Sequence, residues 1–255
     1  MGAEDALGEG RLHILLCDAR GDHLREQHHL ERLLARRVDG LLIVGSRTDP
    51  RPPISDDVGV PVVYVYSPST DGADNSVAAD NVLAGRRVTE HLLTLGRRRI
   101  AHVAGDGSYL AARDRLLGIE GALGAEGLAL VGPPMEFGLW SEEWGRARMS
   151  AILSATPDVD AVICASDQVA RGVLDTLRDR GIRVPEQVAV ASFDNWEILC
   201  LGARPRLTSW DMNFEELGRL SAQYLFDAID GHPSRGLTSV PGRLVSRGST
   251  VAGMS

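Results

Sequence analysis

The sequence predicts an α/β protein built on parallel sheets. Two observations carry this. Apolar runs of strand length recur, and most are continuous rather than alternating, as in strands covered on both faces. Between them lie amphipathic stretches of helical period, and such strand–helix alternation marks βαβ units.

The first run is LHILLC (12–17). LREQHHLERLLARR (24–37) follows, with Leu24, Leu30, Leu33 and Leu34 leaning to one side. GLLIVG (40–45) and PVVYVY (61–66) are the next strands, separated by the Pro-rich surface loop RTDPRPPISDD (47–57). VLAGRRVTEHLLTLG (82–96) places Val88, Leu92 and Leu95 together and stops at Gly96, a C-cap signal. RIAHVAG (99–105), DAVICAS (160–166) and QVAVASF (187–193) are strands, with helical stretches at 111–127, 141–153 and 167–181 around them. Ser141 reads as an N-cap. NFEELGRLSAQYLFDAIDG (213–231) is a helix ending in Gly231, and a strand-like run (237–250) closes the chain.

The bulk properties narrow the class. The chain has 255 residues, 44% hydrophobic and 24% charged, as in ordinary globular proteins. A net charge of −8 argues against gripping nucleic acid unaided, because backbone binding needs a basic surface. Cys17, Cys164 and Cys200 are far apart, and Cys17 and Cys164 sit in apolar runs. Buried thiols in a reduced compartment are the expectation. No zinc spacing occurs; the adjacent His28 and His29 diverge by ~100° on a helix. No apolar run reaches transmembrane length, and MGAEDALGEG is no signal peptide. A cytoplasmic protein without membrane contact is expected.

Candidate site residues follow the strands. Ligands of open parallel sheets bind outside the carboxyl ends of the strands. Asp194, Asn195 and Trp196 leave one strand there, and Ser166, Asp167 and Gln168 leave another. Asp106, Ser108 and Tyr109 follow a third, with Arg113 and Arg115 just beyond, Asp80 and Asn81 follow Val77-Ala-Ala, and Trp140 stands ahead of the helix at 141. Carboxylates and arginines suit ligand hydroxyls, and an indole suits the apolar face of a sugar ring. Blander roles stay open: Asp167 as an N-cap, Arg113 or Arg115 as a solvated helix charge, Trp140 and Trp144 as core. GDGSYL (105–110) lacks the phosphate-binding glycine pattern, and there is no GxSxG elbow or nucleophile–base pair. No enzyme, metal site or cofactor is expected.

Several segments, in order, resemble the ligand-binding core of LacI/GalR-type transcriptional regulators. They are RRVDGLLI (36–43), ADNVLAGRRVTEHLLTLGRRRIAHVAG (79–105), RDRLLGIEGAL (113–123), ASDQVARGVLDTLRDRGIRVPEQVAVASFDN (165–195) and PRLTSWDMNFEELGRLSAQYL (205–225). The resemblance implies a type I periplasmic-binding-protein-like fold: two Rossmann-like lobes joined by three crossovers, with an effector in the cleft. The crossovers are expected near Gly96-Arg97, Trp210-Met212 and Gly236-Leu237. That makes an N-terminal lobe of 1–96 plus 211–236 and a C-terminal lobe of 97–210 plus 237–255. It implies effector contacts at Asp80, Arg115, Trp140, Ser166, Asp194 and Met212. Met212 replaces a polar residue of some members, and Ser192 the usual Gly. The family's helix-turn-helix head and its first core strand are not in the sequence, so strands 12–17 and 40–45 are expected to flank a gap of one strand.

The resemblance implies an effector-binding and dimerisation core, taking a sugar or else a purine, and reaching operator DNA only through a helix-turn-helix head. The alternative is a sugar receptor of an ABC uptake system, which shares the fold. Asp194→Ala and Arg115→Ala are each expected to abolish effector binding and leave the fold intact.

Overall fold

The computed structural model describes residues 13–54 and 58–253. In chain order the elements begin with His23–Ala35 (α1), Leu41–Val44 (β1), Val62–Val65 (β2), Asn75–Ala79 (β3) and Asn81–Thr94 (α2). Next come Ile100–Val103 (β4), Leu110–Ala125 (α3), Glu142–Ala155 (α4), Ala161–Cys164 (β5) and Asp167–Asp179 (α5). The last are Ala189–Phe193 (β6), Glu197–Gly202 (α6), Thr208–Asp211 (β7), Phe214–Ile229 (α7), Gly236–Val240 (β8) and Arg243–Val245 (β9). They form two compact units, 1–79 with 213–240 and 80–212 with 241–255.

The first unit carries a wholly parallel sheet in the order β1-β2-β3-β8. Val63, Val65, Val77 and Val240 pack beneath Leu217 and Leu225 of α7. The run expected to be the first strand is not one: residues 13–19 join no sheet among the described residues, and Leu12 lies outside them. Without a ladder partner its apolar side chains stay in solvent, Leu16 at 93% exposure. Cys17, expected to be buried, is exposed with them. β1 is an edge strand, and Val44 at its end is 68% exposed. Helix α1 buries no residue; its Glu26 is paired with Arg51 at 2.5 Å. Two open hollows of about 500 and 360 Å³ lie beside α1, the first lined by Asp18, Arg20, Arg25, His28 and His29 around Leu24.

The second unit holds the larger core. Its sheet runs β4-β5-β6-β7-β9, parallel except for the antiparallel β9. β4, β5 and β6 are buried throughout, as their continuous apolar runs require. Met149, Ile152, Val162, Val173, Leu177, Val190 and Leu207 fill one side. Two helix pairs cover the sheet, and each crosses over glycines. A Cβ on Gly85 of α2 would meet the Arg115 carbonyl at 2.1 Å, and one on Gly118 of α3 the Val82 carbonyl at 2.1 Å. Gly145 and Gly172 repeat the device between α4 and α5, against Val169 and Glu142 carbonyls at 2.2 and 1.9 Å.

The units change over at Ala79–Asp80, Met212–Asn213 and Val240–Pro241. The middle change lies at Met212–Asn213, next to the expected Trp210-Met212. The first differs from Gly96-Arg97 by one helix, because α2 packs against α3 through those glycines and goes with the second unit. The third differs because the run 237–250 is two strands, one in each sheet, broken at Pro241-Gly242.

Gly118→Ala should cost roughly 1–3 kcal/mol, the usual range for overpacking a tight contact. Urea denaturation checks it; wild-type stability in that variant would mean α2 and α3 can part freely.

Candidate ligand site

The side chains of interest lie at the carboxyl ends of β4, β5, β6 and β7, all within the second unit. Arg115 is their centre. It projects from α3 and is only 3% exposed. A buried guanidinium cannot shed its charge, so its donors must find acceptors. Nε donates to Asn81 Oδ1 at 2.9 Å and Nη1 to the Ala165 carbonyl at 2.5 Å. Nη2 donates to Asp194 Oδ1 at 3.0 Å and lies 3.8 Å from Met212 Sδ. The Phe193 ring covers it, 4.8 Å from the guanidinium carbon. Arg113, the other candidate, is a surface residue that donates to the Gly107 carbonyl.

The other sequence candidates fall around this hub. Asp80 is the N-cap of α2, its Oδ1 accepting from Leu83 N–H at 2.8 Å, and the next residue, Asn81, holds Arg115. Ser166 follows the Ala165 carbonyl and caps α5 from Val169 N–H at 3.3 Å. Cap duty thus belongs to Ser166, not Asp167. Met212 is buried at the end of β7. Trp140 lies over Gly105, where a Cβ would clash with the indole at 2.4 Å, and meets Tyr109 edge-on with centroids 5.6 Å apart. Its Nε1–H has no acceptor among the described residues. Trp144, by contrast, is partly buried against the core and donates to the Ala104 carbonyl at 2.7 Å. The loop before Trp140 is held by Arg148, which donates to the Pro133 and Pro134 carbonyls and pairs with Glu136 at 3.0 Å.

Asp194 reaches Arg115 from a turn with unusual backbone. Asp194 and Asn195 have φ of 94° and 52°, both in the left-handed region. Asp194 N–H donates to the Trp210 carbonyl at 2.9 Å and Asn195 N–H to Ser209 Oγ at 3.0 Å. Arg247 Nη2 donates to Asn195 Oδ1 at 2.8 Å, and Trp196 N–H to Asp167 Oδ2 at 2.7 Å. Among the described residues no cluster of three or more His, Cys, Asp or Glu could hold a metal ion, and no helix is long and apolar enough to cross a membrane.

The periplasmic binding protein-like domain matches residues 89–250. The HTH-type transcriptional regulator CelR of Thermobifida fusca is 36% identical over 96% of this chain and 71% of its own length. Among solved structures, a CelR–cellobiose complex superposes with a TM-score of 0.80 at 34% identity, covering 97% of this chain and 76% of that one. A LacI-family regulator from Rhizobium etli gives 0.90 at 25% identity, covering 98% and 91%. The chain belongs to the LacI/GalR family of transcriptional regulators.

In this LacI/GalR effector-binding domain, sequence reasoning missed part of the supporting cast. Asn81, which the sequence had offered beside Asp80, holds Arg115 together with Ala165 and Phe193, and only their place at strand ends could have signalled the last two. Burial also changes one expectation. Truncating Arg115 to Ala strands Asn81 and Asp194 and opens a hole, so it costs stability as well as ligand contacts.

His102 sits behind the hub on β4. Its Nδ1 lies 2.8 Å from the Ile163 carbonyl, which can only accept, so Nδ1 carries the proton. Burial pushes its pKa down to about 4; the hydrogen bond resists and the Arg115 charge adds to the fall. The unfolded chain binds a proton near the ordinary value of 6.5 while the folded chain refuses it until about 4. Stability from this group is therefore complete above 6.5 and is lost as pH falls towards 4, by at most about 3.5 kcal/mol at roughly 1.4 kcal/mol per unit. Burial raises Asp167 instead, which acts with the opposite sign. His102→Gln should flatten the denaturation midpoint between pH 6.5 and 5; an unchanged slope would exclude His102 as its source.

Proposed function

We propose that this domain is the sensor of a sugar-responsive regulator, with the sugar bound at the strand ends around Arg115. The observation that carries this is the buried Arg115–Asp194 pair beside Trp140, whose indole N–H lacks an acceptor among the described residues. A sugar hydroxyl both donates and accepts. Asp194 and Asp80 accept from it, Arg115 and Ser166 donate to it, and Met212 and the Trp140 ring face its apolar side. The cellobiose in the CelR complex supports a disaccharide as the first ligand to try. The uptake-receptor reading loses ground because the similar proteins are named as regulators.

Operator contact belongs to a helix-turn-helix head outside this sequence, consistent with the name of the CelR relative and with the acidic net charge of −8. A homodimer is the assembly such a regulator uses on two half-sites. The exposed apolar side chains of Trp196 and of Ile198 and Leu201 on α6, at 58, 82 and 41%, support that assembly on this surface. A cytoplasmic location follows from the regulatory role.

Titration calorimetry with cellobiose, other sugars and nucleobases tests the ligand class. Asp194→Ala should weaken sugar binding at least tenfold, as the loss of one charge-assisted hydrogen bond does. Binding of nucleobases alone, or unchanged affinity in the variant, would defeat the sugar reading. Ile198→Glu should turn a dimer into a monomer in sedimentation; a wild-type monomer, or a variant that stays dimeric, removes α6 from the interface.

A further inference from the structure

Asp167 is fully buried, and among the described residues it forms no salt bridge. Hydrogen bonds alone hold it. Ser192 Oγ and Ser209 Oγ donate to Oδ1 at 2.5 and 2.6 Å, and Trp196 N–H donates to Oδ2 at 2.7 Å. Burying a carboxylate is expensive unless the geometry repays it. Three of its neighbours act on one object. Trp196 ends the turn that carries Asp194, Ser209 also accepts from Asn195 N–H, and Ser192 lies two residues ahead of Asp194 on β6. That turn spends two consecutive residues in the left-handed region, which favours glycine. Something must hold it there.

We propose that Asp167 is a positioning residue for the ligand site: its buried carboxylate straps the Asp194–Trp196 turn to the start of α5 and so keeps Asp194 on Arg115. The strap spans the ends of two adjacent strands. β5 delivers Asp167 at the first turn of α5, and β6 delivers the turn. Capping does not explain the residue, because Ser166 already caps α5. The inference rests on the strand-end site proposed above, so its test reads the Arg115–Asp194 bond itself and needs no ligand.

Arg115 gives an internal control. Its Nε–H points at Asn81, away from the turn, while Nη2 points at Asp194. In arginine-labelled protein, proton exchange at the Arg115 Nη2 and Nε positions is followed by 1H–15N NMR. In Asp167→Ala, Nη2 exchange should rise at least tenfold while Nε exchange stays within about twofold of wild type. A general loosening of the fold raises both together. Asp167→Asn should restore Nη2 protection to within a few-fold. Its amide oxygen can accept from Trp196 N–H while the two serine hydroxyls reverse and accept from its NH2. Should Asp167→Ala not fold, Ser209→Ala takes its place with the same readout, since it frees Asn195 N–H and removes one strap. Wild-type Nη2 protection in the folded truncation, or Nε and Nη2 rising in step, overturns the proposal. So does an Asn variant as unprotected as the Ala variant. Cellobiose calorimetry on the same proteins should show at least a tenfold loss for the truncation. Failure of the wild type to bind cellobiose bears on the sugar reading alone.

Discussion

A guanidinium taken out of water must be met by acceptors from fixed directions, and Arg115 meets that demand with groups from four separate elements. Asn81 comes from the start of α2, the Ala165 carbonyl from the end of β5, Asp194 from the end of β6 and Met212 from the end of β7. No two of the four share an element. Their convergence requires that the strands be parallel and in register, so that their carboxyl ends arrive at one level. It also requires α2 to lie close enough to α3 for Asn81 to reach Nε. The bare Cα atoms of Gly85 and Gly118 permit that approach, one of them directly against the Arg115 carbonyl. The packing of the helices and the chemistry of the site are one constraint seen from two sides.

A single Arg–Asp pair of this kind contributes little to stability in itself, because desolvation consumes much of the attraction. What it does is fix geometry. Nη2 takes Asp194 through Oδ1, which leaves the carboxylate ordered rather than swinging into solvent. An ordered carboxylate loses less conformational freedom when a ligand hydroxyl arrives, which is how preorganisation raises affinity without adding contacts. Trp140 is seated in the same way, by Gly105 beneath it, Tyr109 at its edge and Arg148 gripping the loop ahead of it.

Much of this was legible in the sequence, and the reasons are local. Strands β4, β5 and β6 are covered on both faces, so their runs are continuous and small, and a carboxylate or hydroxyl directly after such a run has few bland roles. That logic singled out Asp194 and Ser166 as candidates and, with the family resemblance, Arg115, and the fold gathers them at neighbouring strand ends. It could not find Asn75–Ala79, because NSVAA is short and weakly apolar and is a strand only by virtue of β2 and β8 on either side. It misread LHILLC for the opposite reason: an apolar run has the composition of a strand but needs a ladder to be one. The split at Pro241-Gly242 left no trace beyond a turn-forming dipeptide, and the assignment of α2 to the second unit depends on glycine contacts that periodicity does not register.

The roles of neighbouring polar residues were the hardest to read, and the Ser166-Asp167 pair shows why. Both types cap helices, and sequence alone does not say which of two adjacent candidates takes the cap. The choice has consequences. With Ser166 on the cap, the Asp167 carboxylate is free to turn inward, where it gathers Ser192, Ser209 and Trp196. Trp196 in turn is the N-cap of α6, whose Ile198 and Leu201 stand in solvent. Asp194, on the side of the proposed ligand, and α6, on the exposed side, are therefore separated by a single short turn, and the Asp167 carboxylate is one of the groups bonded to it. A ligand that pulls on Asp194 works against the same hydrogen bonds that orient the start of α6. Any coupling between the proposed sugar and the proposed dimer surface has its shortest physical route there, through backbone and strap rather than through the hydrophobic core.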